Sequence, residues 1–132
     1  MIRWSVGPGM VVLLASAAHG QDSSASSKPL RPTYYSCVKA SRGVTLALND
    51  CIGTEHDFQD KRLNAAYGRL RTSLSAAQRA TLRDEERTWI EQRDKTCTSD
   101  GSGGTASMLD SNQCQLDQTA ARAAVLEARV GQ

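Results

Sequence analysis

Between Thr54 and Cys97 the apolar positions recur at a helical period. Leu63, Tyr67, Leu70 and Leu74 follow one another at spacings of four, three and four, which is one stripe of a 3.6-residue repeat. Phe58 and Ala66 widen the stripe, and Lys61, Arg62, Arg69 and Arg71 fall off it. Thr54-Glu55-His56-Asp57 reads as the capping box that opens this helix. A threonine hydroxyl accepts from a first-turn N–H there, and the acids suit the positive end of the helix dipole.

Ser75-Ala76-Ala77-Gln78 is a second capping box, directly after Leu74. An N-cap serine is not helical, so the chain reverses and the two helices become antiparallel neighbours. Leu82, Trp89 and Ile90 supply the second buried stripe, with Gln78, Glu86 and Arg93 at its edge. Arg87–Glu91 and Glu91–Lys95 are opposite charges four apart, each pair worth about 0.2–0.5 kcal/mol. Counting outward from Ser75 places Leu70 near Leu82, Tyr67 near Glu85 or Glu86, Asn64 near Trp89 and Asp60 near Arg93. That register predicts Asn64 as acceptor for the Trp89 indole N–H and a bidentate Asp60–Arg93 pair.

A third helix follows. Leu109, Leu116, Ala123 and Val130 recur every seven residues, with Thr119 and Leu126 between them, and Asp110 to Gln113 reads as its capping box. It should pack into the groove of the hairpin. The connection, Thr98 to Ser107, carries Gly101, Gly103 and Gly104 among serines and threonines and reads as a flexible loop. It lacks the Gly-Lys-Ser/Thr ending of a phosphate-binding loop. Upstream, Thr45 to Cys51 reads as a short N-terminal helix after Gly43.

The N-terminal residues change the picture of where the domain works. Residues 1–20 combine a lone Arg3, the short apolar run Met10 to Ala15 and small residues, the pattern of a secretory signal. That run is too short to span a bilayer, which takes about 20 residues, so no integral membrane segment remains after its removal. No cysteine sits near the cleavage region, so no lipid anchor is expected there. Residues 21–35 are a Ser/Pro-rich linker, and the folded domain covers 36–130. The formal charge of +2 falls to +1 without Arg3, which gives no electrostatic case for nucleic acid.

Trp89 and Phe58 are the only tryptophan and phenylalanine after the signal, so the core is mostly leucine and alanine and benefits from covalent ties. Cys37, Cys51, Cys97 and Cys114 form an even set behind a signal, which implies two disulfides. Cys51 and Cys97 share the open end of the hairpin and are one candidate pair; Cys37–Cys51 with Cys97–Cys114 is the other arrangement. The cysteines lack zinc-knuckle spacing and only His56 accompanies them, so neither a metal nor a cofactor is expected. Glu85 and Glu86 do not make a glycosidase pair, since helix neighbours point about 100° apart. No nucleophile–base set is evident, and no enzyme is expected.

Cys37, Cys51, Leu63-Asn64-x-x-Tyr67, the Gln78 to Leu82 region, Trp89-x-x-x-Arg93-Asp94-x-x-Cys97, Gly103-Gly104, Cys114 and Thr119-x-x-Arg122 occur in one order. In that order the chain resembles the lysozyme inhibitor LprI-like family of bacteria, from about Cys37 to Arg129. The resemblance implies a small extracytoplasmic, all-α, disulfide-tied helical bundle, built on the hairpin plus a third helix and a short N-terminal helix. It implies the Cys37–Cys51 and Cys97–Cys114 pairing, periplasmic or secreted localisation, and a protein partner, lysozyme. The alternative is an envelope structural or adaptor protein without lysozyme affinity. Asp60, Leu63, Asn64, Tyr67, Trp89, Arg93, Thr119 and Arg122 are assigned structural roles. Gly101, Ser102, Gly103, Gly104 and Thr105 are the candidate inhibitory loop. Common lysozymes are strongly basic, and the near-neutral charge of this domain counts against inhibition, so any acidic face would have to be local, for example Asp57, Asp60, Asp84, Glu85 and Glu86.

Overall fold

A computed structural model describes residues 30–132. Residues 1–20, read as a signal, and residues 21–29 of the stretch read as linker lie outside the described residues. Four helices make up the fold: α1 (Pro32–Ser41), α2 (Thr45–Ser73), α3 (Ala76–Cys97) and α4 (Gly104–Val130), with no strand among the described residues. The all-α, disulfide-tied bundle read from the sequence is the fold observed.

α1 begins at Pro32, inside the stretch read as linker. Proline suits a first helical position because its missing N–H would have no helical partner there. The helix ends at Arg42 and Gly43, both with positive φ, which turns the chain into α2. The Cys37–Cys51 disulfide fastens α1 to α2, and the Tyr34 hydroxyl donates to Gln113 Oε1 of α4 at 2.6 Å. Burial, then the charge of Asp117, push the Tyr34 phenol up.

The short helix expected at 45–51 and the long one expected from Thr54 are a single helix of 29 residues. Thr54 is therefore no N-cap. It sits in mid-helix, and its carbonyl accepts from Arg31 Nη2 at 3.4 Å. The Ser75 box is present as read: Gln78 N–H donates to Ser75 Oγ at 3.3 Å, and Ser75 N–H donates to Gln78 Oε1 at 2.9 Å. Asp110 lies within α4, which starts six residues earlier at Gly104, so the Asp110 box is no cap either.

α2 and α4 run parallel, side by side. Asn49 meets Asn112, His56 meets Thr119 and Arg62 meets Glu127, at sequence separations of 63, 63 and 65. Alanines make this close approach possible, since Ala66, Ala120 and Ala123 are all buried at the seam. Around them pack Leu63 and Leu70 of α2, Leu82 of α3, and Leu126 of α4, with Leu116 buried further along. Each such leucine stabilises the fold by about 1.5–3 kcal/mol relative to exposure.

α4 fills the hairpin as expected, and in doing so parts its arms. α2 and α3 come within 8 Å backbone-to-backbone almost nowhere, whereas each packs on α4. Leu70 and Leu82 still share the core near the Ser75 turn. Farther out the arms stand apart, and the stripe on α3 faces a groove. Ile90, read as buried, is 42% exposed, Trp89 is half-buried, and Phe58 is exposed beneath the Arg31 guanidinium, 3.8 Å from its ring centre.

The separation also cancels the polar contacts read from the register. Asn64 donates to Asp60, not to Trp89, and Arg93 pairs with its neighbour Asp94 at 2.7 Å, not with Asp60. Arg87 reaches Asp84 at 4.0 Å, and neither Arg87–Glu91 nor Glu91–Lys95 closes as an ion pair among the described residues.

Candidate functional site

Polar chemistry beyond the core gathers in three places and in one further network on the N-terminal side. The first ties α3 to α4. Arg122, assigned a structural role by sequence, holds it. Its Nε donates to Glu86 Oε1 at 3.0 Å and its Nη2 to Glu85 Oε1 at 2.6 Å, while Arg129 reaches Glu85 at 2.8 Å. Burial alone would raise the Glu85 carboxyl, but the bonds and charges of Arg122 and then Arg129 outweigh it and hold Glu85 below the ordinary value. Burial alone would lower the Arg122 guanidinium, but Glu86 and Glu85 raise it overall. Glu86, buried, and Glu85, exposed, are thus both neutralised by arginines of α4. Asp84 is shared by Arg83 and Arg87, and Asp60 accepts from Asn64. The acidic face read from Asp60, Asp84, Glu85 and Glu86 is thus largely engaged by the protein itself.

A parallel network anchors the N-terminal side. Glu55, 1% exposed, accepts from the Arg31 N–H at 3.1 Å, from Arg31 Nε at 2.7 Å and from Gln59 at 2.6 Å. Burial opposes its charge, yet these donors and the Arg31 charge hold its carboxyl below the usual range. Sequence reading missed this site because Glu55 looked like a capping acid.

The second place is a polar cavity of about 210 Å³ between α2 and α4, lined by Asn49, His56, Asp57, Asn112 and Gln115. His56 Nε2 lies 3.3 Å from the buried Thr119 hydroxyl. Asp57 is the one carboxylate of the lining, so the paired carboxylates of glycoside hydrolysis do not converge there. Among the described residues no three His, Cys, Asp or Glu gather to hold a metal ion.

The third place is the tip where α3 ends and α4 begins. The loop read as 98–107 is shorter, since Gly104 and Thr105 already belong to α4; Gly101, Ser102 and Gly103 remain in the connection. The Cys97–Cys114 disulfide closes it, with Cα atoms 5.5 Å apart. Thus the bonding is Cys37–Cys51 and Cys97–Cys114, the pairing implied by the resemblance. Gly101 and Gly104 adopt φ of 75° and 60°, the left-handed region that disfavours other residues. The loop is stitched internally. Ser102 donates to Asp100 Oδ1 through its N–H at 2.9 Å and its hydroxyl at 2.7 Å, Ser99 bonds Ser107, and Ser111 donates to the Cys97 carbonyl. The Ser102 bonds hold the Asp100 carboxyl below its ordinary value, and no cation pairs with it among the described residues.

Beside the loop, the first turns of α2 and α4 expose Leu46 (72%) and Met108 (61%). With Thr45, Asn49, Thr105 and Leu109 they line an apolar groove of about 280 Å³. Large apolar side chains this open gain nothing for the fold, and a contiguous group of them marks a binding surface. Leu46 and Met108 carry no signal in the sequence, because their meeting depends on α2 and α4 running parallel.

The model of the family described as lysozyme inhibitor LprI matches residues 37–126, from the first cysteine to the last fully buried leucine. The chain belongs to the lysozyme inhibitor LprI family. No curated protein and no solved structure matches it. No helix among the described residues is long and apolar enough to cross a membrane.

Proposed function

We propose that this LprI-family chain is a non-enzymatic, periplasmic or secreted domain that binds protein and inhibits lysozyme. The family match over residues 37–126 carries the reading. Two disulfides fit an oxidising compartment outside the cytoplasm. The inhibitory surface is the tip: the 98–103 loop together with Leu46 and Met108. A loop already tied by a disulfide and internal hydrogen bonds loses little entropy when it enters a partner's cleft. Asp100 adds a negative charge at the point of contact with a basic partner, and the apolar groove takes a side chain from the cleft's rim.

Calorimetric titration of the oxidised protein into lysozymes of several classes tests this. Saturable binding to at least one class, weakened about tenfold or more by Leu46→Asp with Met108→Asp, fits the proposed surface. Binding unchanged by that double substitution and by Asp100→Asn would remove the tip from the interface.

A further inference from the structure

The groove that α4 opens between α2 and α3 has no task in lysozyme binding at the tip. It measures about 260 Å³, and its floor is Leu63, Tyr67, Trp89 and Ile90. Helical spacing alone places Trp89 and Tyr67 in the core, yet both are only half-buried here, and Ile90 is exposed. A small domain with one tryptophan among its described residues leaves that tryptophan on a groove floor. Buried aromatic anchors of this kind dominate binding energy at protein interfaces.

The rim is cationic toward the Ser75 turn. Arg83 and Arg87 of α3 share the single carboxylate of Asp84, at 3.1 and 4.0 Å. Arg71 of α2 lies outside the groove's lining, 5.7 Å from the centre of the Tyr67 ring. At the opposite end stand Asp60 and Asn64, with the Arg93 guanidinium 5.1 Å from the Trp89 ring centre. Glu86, at the groove wall, is already neutralised by Arg122. The groove therefore presents an apolar floor, two arginines sharing one carboxylate at one end, and at the other Asp60 beside an Arg93 already paired with Asp94. Carboxylates of an occupant are drawn to the arginine end and repelled from Asp60.

We infer that this groove docks an acidic, amphipathic segment of a protein partner, with apolar side chains on Trp89 and Ile90 and carboxylates on Arg83 and Arg87. The complementarity is the helix-in-groove kind, in which apolar anchors set affinity and flanking charges set orientation. A basic protein finds the wrong sign here, so this site is separate from the tip and stands or falls without the lysozyme reading.

The test uses the full chain carrying Trp4→Phe, which leaves Trp89 as its sole tryptophan, excited at the red edge where tyrosine does not absorb. The probe is a short acetylated helical peptide with leucine on one face and glutamate on its flanks. Its counterpart has lysine for every glutamate. A saturable change in Trp89 emission with the glutamate peptide is expected. Arg83→Glu with Arg87→Glu should weaken it about tenfold or more, while Arg69→Glu, outside the groove, leaves it unchanged. Both arginines of the pair are exposed, so folding is retained, and circular dichroism checks this. The proposal is overturned by no saturable change at millimolar peptide, or by equal affinity for the lysine peptide. It is equally overturned if an N-acetylated disaccharide gives the response and the peptide does not. Emission that depends on protein concentration alone would assign the groove to a second copy of this chain, and would overturn the proposal too.

Discussion

Arg122 is the side chain whose loss should reveal how α3 is held. α3 gives the shared core only Leu82 as a fully buried leucine, the Cys97–Cys114 disulfide ties its far end to α4, and between these its ion pairs to α4 run through Glu85 and Glu86. Replacing Arg122 by methionine keeps much of the aliphatic stem and removes the charged guanidinium, whose carbon lies 6.0 Å from the Trp89 ring centre. Glu86 is then stranded at 8% exposure, while Glu85, with its side chain 40% exposed, regains water. Stranding a fully enclosed partner costs about 3–5 kcal/mol. With one of the two carboxylates solvated, the loss should be about 2–3 kcal/mol. For a domain of this size that lowers Tm by roughly 10–20 °C. The decisive comparison is the double substitution Arg122→Met with Glu86→Leu. It removes both charges and fills their place with apolar atoms, so most of the loss should return, leaving about 1 kcal/mol. Thermal unfolding followed by circular dichroism reads both. A fall of under about 3 °C for Arg122→Met, or a double variant as unstable as the single, would refute the assignment of the α3–α4 tie to this cluster.

Ser75→Ala removes one half of a formed capping box and should cost about 1 kcal/mol by chemical denaturation, with Gln78→Ala costing less. Cys97→Ser with Cys114→Ser frees the tip and should lower stability by about 2–4 kcal/mol in the same assay. Stability should also fall in acid. Glu55 and Glu85 have carboxyls below their ordinary values when folded, so the unfolded chain binds more protons near pH 4 and stability rises with pH there. Their contribution is complete above about pH 5 and is lost as pH falls through the folded values, below the ordinary glutamate value of about 4.3. Tm measured from pH 3 to 7 should show this slope, and Glu55→Gln should flatten it.

What the sequence revealed was local. The Ser75 box is legible because its two hydrogen bonds join residues three apart, and the chain before it ends a clear stripe. The Thr54 and Asp110 boxes have the same letters and fail. A capping box matters only if the residues before it leave the helix, and here Leu46 to Gly53 and Thr105 to Leu109 stay helical. The residues that the register set facing one another, Asp60, Asn64, Tyr67, Glu86, Trp89 and Arg93, do line one groove. Their distances were not, because the alanine seam lets α4 sit against α2 and hold α3 away. That choice belongs to tertiary packing. It left Trp89 packed against the core but open to the groove, exposed Ile90, sent Arg122 to the glutamates, and brought Leu46 beside Met108.

The central claim is inhibition at the tip, and lysis of a bacterial cell-wall suspension tests it most directly. The oxidised protein is added to lysozymes of several classes and turbidity is followed. Dose-dependent protection against at least one class is predicted, together with its loss when residues 98–103 are replaced by a linker of the same length that keeps Cys97 and Cys114. No protection against any class at large molar excess would contradict that claim and leave an envelope adaptor as the better description of the chain.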